Sequence, residues 1–219
     1  MQKKFITLLL ALLGFSMVIE AKSINTYGFT IGAGQTREFY IYMNTTLDNL
    51  VSFQIDLIMP EGLKVNVDQC TLPARVKDKE QMLFVGKLDG NKYRFVSTSY
   101  SLTALSKEDA PLLKVSVTAD DDFQGGKVDL VDMFAVSSVG RKVEWISDAF
   151  DVATTKVVRG DTNYDSEVTV SDVMTVVNYM LGKETLFSST YDLDSNNVVD
   201  IVDVMTCSNL LLESIKVDD

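Results

Sequence analysis

The sequence predicts a mostly β protein that ends in a small all-α module. Three observations carry this. Apolar residues alternate with period two between residues 24 and 157. An acidic pattern occurs twice within the last sixty residues, each time followed by a helical pattern. Gly, Asn and Asp punctuate the alternating runs at short intervals, as turns do.

The chain of 219 residues opens on a leader that is not part of this plan. Met1, Gln2, Lys3 and Lys4 form a short basic start, and residues 5–19 are apolar except for Thr7, Gly14 and Ser16. Ile19 and Ala21 suit the −3 and −1 positions of a cleavage site. This reads as a secretory signal peptide over residues 1–21, and the apolar run is shorter than the ~20 residues a spanning helix needs. The expectation is a secreted protein, extracellular or at the cell surface, with no membrane span.

The strand-like runs follow in order. Phe39, Ile41 and Met43 alternate with Tyr40 and Tyr42. Phe53, Ile55, Leu57 and Met59 alternate with Gln54 and Asp56 before Pro60, Glu61 and Gly62 turn the chain. Asp89, Gly90 and Asn91 separate two further runs as a hairpin turn would. The region around residues 77–81 is polar and reads as a loop. Leu113, Val115 and Val117 alternate with Lys114 and Ser116. Gln124, Gly125 and Gly126 turn into Val128, Leu130 and Phe134, and Val143 and Trp145 continue the pattern. Alternation buries one face of each strand and wets the other. Eight or nine such strands fit a two-sheet sandwich or jelly roll over residues 22–158.

Composition excludes several chemistries. The chain has no His, which removes the usual general base, His-based nucleophile relays and most catalytic zinc sites. Asp56, Glu61, Asp129 and Asp132 are carboxylates in the body, but no catalytic pair emerges among them. Cys70 and Cys207 are the two cysteines; one long-range disulfide between them is open in an oxidising compartment, while Cys207 falls on the apolar face of an expected helix and reads as a small buried residue. Residues 160–219 hold 12 acidic residues against Lys183 and Lys216, a balance of −10, while residues 22–159 are near −2. Such concentrated charge needs a cation to offset its repulsion. It argues against nucleic acid, which wants basic patches.

The acidic module has an internal register. Asp161, Asn163, Asp165, Glu167, Thr169 and Asp172 occupy positions 1, 3, 5, 7, 9 and 12 of one loop. Asp192, Asp194, Asn196, Val198, Asp200 and Asp203 occupy the same positions of a second, 31 residues on. Aligning 161–181 with 192–212 gives 8 identities, five of them in a shared Asp-Val-Met-Thr-x-x-Asn pattern. Helices are expected at 173–181 and 204–212. Calcium takes roughly six to eight hard oxygens. Side chains at positions 1, 3 and 5, the carbonyl of position 7, position 9 and the carboxylate of position 12 supply them. The pattern therefore predicts two Ca²⁺ ions, with loop 2, richer in carboxylates, binding the more tightly. Val168 and Val199 are expected to join the loops through a short β-like contact. Position 6, where a sharp turn prefers Gly, holds Ser166 and Asn197.

Loop then helix, twice, with Asp at position 12 and the opening Gly160-Asp161-Thr162-Asn163-Tyr164-Asp165, resembles a type I dockerin module over residues 159–219. The resemblance implies recognition residues at positions 10 and 11, here Val170, Ser171, Ile201 and Val202, and a cohesin-like protein domain as their partner. The stretch from Leu50 to Leu63 is similar to a strand and turn of cohesin domains and their carbohydrate-binding relatives, with Ser52 where that family has Gly. It implies a cohesin-like sandwich that receives a dockerin or holds a polysaccharide. The expected function is a secreted, non-catalytic adaptor in an extracellular polysaccharide-degrading assembly. The alternative is a glycan-binding protein tethered by its dockerin. Tyr40, Tyr42, Tyr100 and Trp145 are the aromatics that could stack on sugars.

Overall fold

A computed structural model describes residues 24–44, 49–73, 76, 80–105 and 110–217. The expected signal peptide, residues 1–21, lies outside them. Among the described residues, eleven strands form two facing sheets. In chain order they are β1 (Ile24–Asn25), β2 (Phe29–Gly32), β3 (Thr36–Met43), β4 (Leu50–Ile58), β5 (Leu63–Val65), β6 (Gln81–Lys87), β7 (Lys92–Ser99), β8 (Ala110–Ala119), β9 (Gly126–Ser137), β10 (Lys142–Glu144) and β11 (Phe150–Thr155). Helices α1 (Val170–Met180) and α2 (Ile201–Val217) follow. No helix among the described residues is long and apolar enough to cross a membrane.

The smaller sheet runs β1-β3-β8-β5 and the larger β2-β11-β9-β4-β7-β6, with β10 paired to β9. Every pairing is antiparallel except β2 with β11. The alternating residues meet between the sheets. Phe39 and Ile41 of β3, Phe53, Ile55 and Leu57 of β4, Phe95 of β7 and Val115 and Val117 of β8 are all buried in one core. Each such side chain contributes roughly 1.5–3 kcal/mol relative to exposure.

The expected runs became β3, β4, the β6–β7 hairpin, β8, β9 and β10. At the hairpin Gly90 has φ +64°, a left-handed turn position that Gly occupies without steric cost. Two expectations changed. Gln81 belongs to β6, not to a loop; its amide reaches Val51 O at 3.0 Å and accepts from Ser97, so a polar residue is buried with both ends satisfied. Residues 77–79 lie outside the described ones. Trp145 is buried beside Phe53, with ring centroids 6.1 Å apart, and is no surface aromatic.

Candidate calcium loops and docking surfaces

Loop 1 (161–172) and loop 2 (192–203) fold alike. Position 1 gathers the turn: Asp161 Oδ1 accepts from Tyr164 N at 2.7 Å and Oδ2 from Ser166 N at 2.8 Å. Asp192 accepts from the backbone N–H groups of Asn196 and Asn197, at positions 5 and 6, at 3.0 and 2.8 Å. Position 12 clamps the loop from the helix. Asp172 accepts from Thr162 N and Thr169 N, both at 2.8 Å. Asp203 accepts from Leu193 N at 2.7 Å and Asp200 N at 2.9 Å. Positions 4 and 6 are left-handed in both loops: Tyr164 (φ +68°) and Ser166 (φ +74°), Ser195 (φ +61°) and Asn197 (φ +66°). Those turns cost a non-Gly residue roughly 1–2 kcal/mol each.

The loops differ in what converges. One carboxylate oxygen each from Asp192, Asp194 and Asp203 lie within 4.8 Å of one another. Among the described residues, loop 1 assembles no such trio. Its position 3 is Asn163, whose amide donates to Asp165 Oδ2 at 2.8 Å and Ser171 Oγ at 3.3 Å. Glu167 and Val198 are exposed at position 7. Thr169 at position 9 caps α1: its hydroxyl accepts from Ser171 N at 3.1 Å and pairs with Asp172 in a capping box. Asp200 Oδ1 takes Val202 N at 2.7 Å at the head of α2. The donors are all oxygens of carboxylate, hydroxyl, amide or carbonyl groups, which is the chemistry a hard cation such as calcium requires.

The helices start three residues earlier than expected, at 170 and 201, and α2 continues to 217. The caps sit at position 9, so position 12 is already inside the first turn. Val168 and Val199 form no β-bridge. Arg159 Nη2 instead reaches Leu193 O at 3.2 Å, and Thr190 Oγ1 reaches Thr162 O at 3.4 Å, across the repeat. Val176 of α1 and Cys207 of α2 are fully buried. Burial pushes the thiols of Cys70 and Cys207 up to about 11, and both are free. Gly160 has φ +97°, and a Cβ there would stand 3.2 Å from Leu210 and Val168 side chains.

The four expected recognition residues, Val170, Ser171, Ile201 and Val202, are all exposed. Met174 and Met205 extend the apolar surface along α1 and α2. The stretch joining the repeats meets the sandwich. Ser188 bridges Arg37 in antiparallel fashion. Glu38 N donates to Phe187 O at 2.8 Å. This contact had no sequence signal.

On the sandwich, the outer face of β9-β4-β7-β6 carries Phe84, Val96, Phe134 and Val136 around Ser52 and Gln54. Phe84 is 53% exposed, and Lys142 Nζ lies 4.3 Å over the Phe134 ring. Asp56 on this face is fully buried beneath Arg94, which holds it bidentately at 2.8 Å, and Lys92 at 2.9 Å. Burial would raise its pKa, but the hydrogen bonds and charges of Arg94 and Lys92 outweigh that and hold the carboxyl below its usual value. Such a carboxylate is spoken for as a structural ion pair. Tyr27, Tyr40 and Tyr42 cluster on the smaller sheet with rings at 70° and 72°, edge to face and not one flat platform.

No family model and no curated protein matches the chain. Solved structures do, among them cohesin modules. The sixth cohesin of scaffoldin B from Acetivibrio cellulolyticus, solved with a dockerin, has TM-score 0.53 and 10% identity over 62% of this chain and 99% of its own. The OlpA cohesin from Clostridium thermocellum, also in a dockerin complex, has TM-score 0.51 and 11% identity over 62% and 100%. A non-cellulosomal cohesin from Archaeoglobus fulgidus has TM-score 0.50 and 14% identity over 62% and 93%. The sandwich therefore has a cohesin-like fold.

Proposed function

We propose that this chain is a secreted, non-catalytic docking component with two binding surfaces. The observation that carries the reading is the recurrence of one loop geometry beside a cohesin-like sandwich. The C-terminal module acts as a dockerin: two Ca²⁺ ions hold its loops, and Val170, Ser171, Ile201 and Val202 with Met174 and Met205 meet a cohesin-like partner. Aliphatic and Met-rich exposed patches suit protein partners. The sandwich takes a dockerin-type partner on the outer face of β9-β4-β7-β6, where Phe84 and Phe134 would be the buried anchors. Calcium would be structural, since its binding energy is coupled to folding of the loops. In an extracellular polysaccharide-degrading assembly, such a chain links two modules without cleaving either. The tilted tyrosines give the glycan-binding alternative less support than the apolar faces give docking.

The test is calorimetric titration of calcium into metal-free protein spanning residues 22–219, then of purified cohesin and dockerin modules. Two calcium events with a gain of helix, followed by saturable module binding, are expected. The absence of calcium binding in the micromolar range would end the docking reading of the C-terminal module.

A further inference from the structure

We infer that the open edge of β3 is an interaction surface for the chain's own inter-repeat stretch, and that cation loading of loop 1 controls its seating through Tyr164. The inference rests on the calcium reading above.

Strand β1 pairs with Tyr42 and Met43, so among the described residues β3 from Thr36 to Ile41 has β8 on one side and no strand on the other. An edge of this kind leaves amides to be satisfied and templates strand addition. The inter-repeat stretch satisfies it. Thr36 N donates to Ser189 Oγ at 3.0 Å and Glu38 N to Phe187 O at 2.8 Å. The Glu38 carboxylate, mostly buried, returns the contact by accepting Phe187 N at 2.9 Å while Lys114 neutralises it at 2.8 Å. Tyr40 and Thr185 meet through their hydroxyls at 3.0 Å. Gln35 and Ser189 close the far end through their side chains.

Loop 1 reaches this seam mainly through Tyr164, with Thr162 O also accepting from Thr190 Oγ1 at 3.4 Å. Tyr164, at position 4, donates its N–H to Asp161 Oδ1. Its hydroxyl hydrogen-bonds Ser188 Oγ at 2.8 Å, and its ring lies 5.3 Å beneath the Arg37 guanidinium. Ser188 is 1% exposed, so the contact is desolvated. A left-handed Tyr holds this position only while the surrounding loop determines it. With the cation removed, like charge at Asp161, Asp165 and Asp172 loosens the loop. Tyr164 then releases Ser188 and Arg37, and the β3 edge opens.

Hydrogen exchange over residues 36–41 of the 22–219 protein, with calcium and with chelator, reads this directly, with calorimetry on the same sample. Calcium is expected to slow exchange there by about tenfold or more. Tyr164→Ala, which removes no cation ligand, should retain two calcium events and the calcium protection of α2 while losing that of 36–41. Calcium binding that leaves 36–41 unchanged in the wild type, or an intact response in Tyr164→Ala, overturns the latch and spares the calcium reading. Loss of calcium binding itself overturns both.

Discussion

Loop 1 and loop 2 share their spacing, their left-handed turns and their carboxylate clamp, yet they sit in different places. Loop 1 buries Asp161, Thr162 and Asp172 and is tied to the sandwich through Tyr164. Loop 2 buries only Asp203 of its acidic set and exposes Asp194, Asn196 and Asn197. Loop 2 gathers three carboxylates, and loop 1 spends a position on Asn163. The lesson is that a repeated local code makes the same turn twice, whereas the surroundings divide the labour. Loop 1 becomes a joint between modules, and loop 2 the stronger cation site under the proposal.

The largest test of this contrast removes the clamps. Asp172→Ala and Asp203→Ala each strip a buried carboxylate from three backbone amides and should cost about 2–4 kcal/mol by chemical denaturation in calcium. Each should also reduce two calcium events to one. Asp172→Ala, which leaves loop 2, should bind its remaining ion about tenfold more tightly than Asp203→Ala binds its own. Equal affinities would break the comparison.

Next in size is Gly160→Ala, at the joint itself. Its φ of +97° and the 3.2 Å approach of Leu210 and Val168 should make the change cost about 1–3 kcal/mol. Thermal unfolding of α1 and α2 together would report it.

Asp56→Asn marks what the sandwich contributes without any cation. The partners Arg94 and Lys92 are partly solvated, so the loss should be about 1–2 kcal/mol at pH 7, equal with and without calcium. The sign with pH follows from the lowered carboxyl. Asp56 stabilises fully above its unfolded pKa near 3.8, and that stability is lost as pH falls through its lower folded value. Denaturation midpoints taken downward from pH 5 should fall more steeply in the wild type than in the variant.

The smallest effect separates the two position-6 residues. Ser166→Gly should gain about 0.5–1 kcal/mol by relieving a left-handed Ser, and Asn197→Gly less, because Asn tolerates that conformation. Melting temperatures of the pair would rank them.

Much of this was legible in residue order. Period-two alternation located β3, β4, β8 and β9, because one buried face per strand imposes it. Strands β1 and β2 were missed, being two and four residues long with no full period to read. The helix starts were misplaced by three residues, although Thr169-x-x-Asp172 is a capping-box signature that marks the true start. The β-like pairing of Val168 and Val199 was expected from the repeat alone, and no β-bridge joins them.

The sequence by itself determined the sandwich class and the two matching acidic turns, because alternation and loop spacing are local rules enforced by backbone geometry. Only the tertiary structure decided that Val170, Ser171, Ile201 and Val202 face solvent, that Asp56 is an ion-paired carboxylate under Arg94 and Lys92, and that residues 185–189 cap β3. Those outcomes join groups as far apart as Thr36 and Ser189, 153 residues along the chain. Whether such groups meet depends on how two finished units fit together, and no local pattern carries that information.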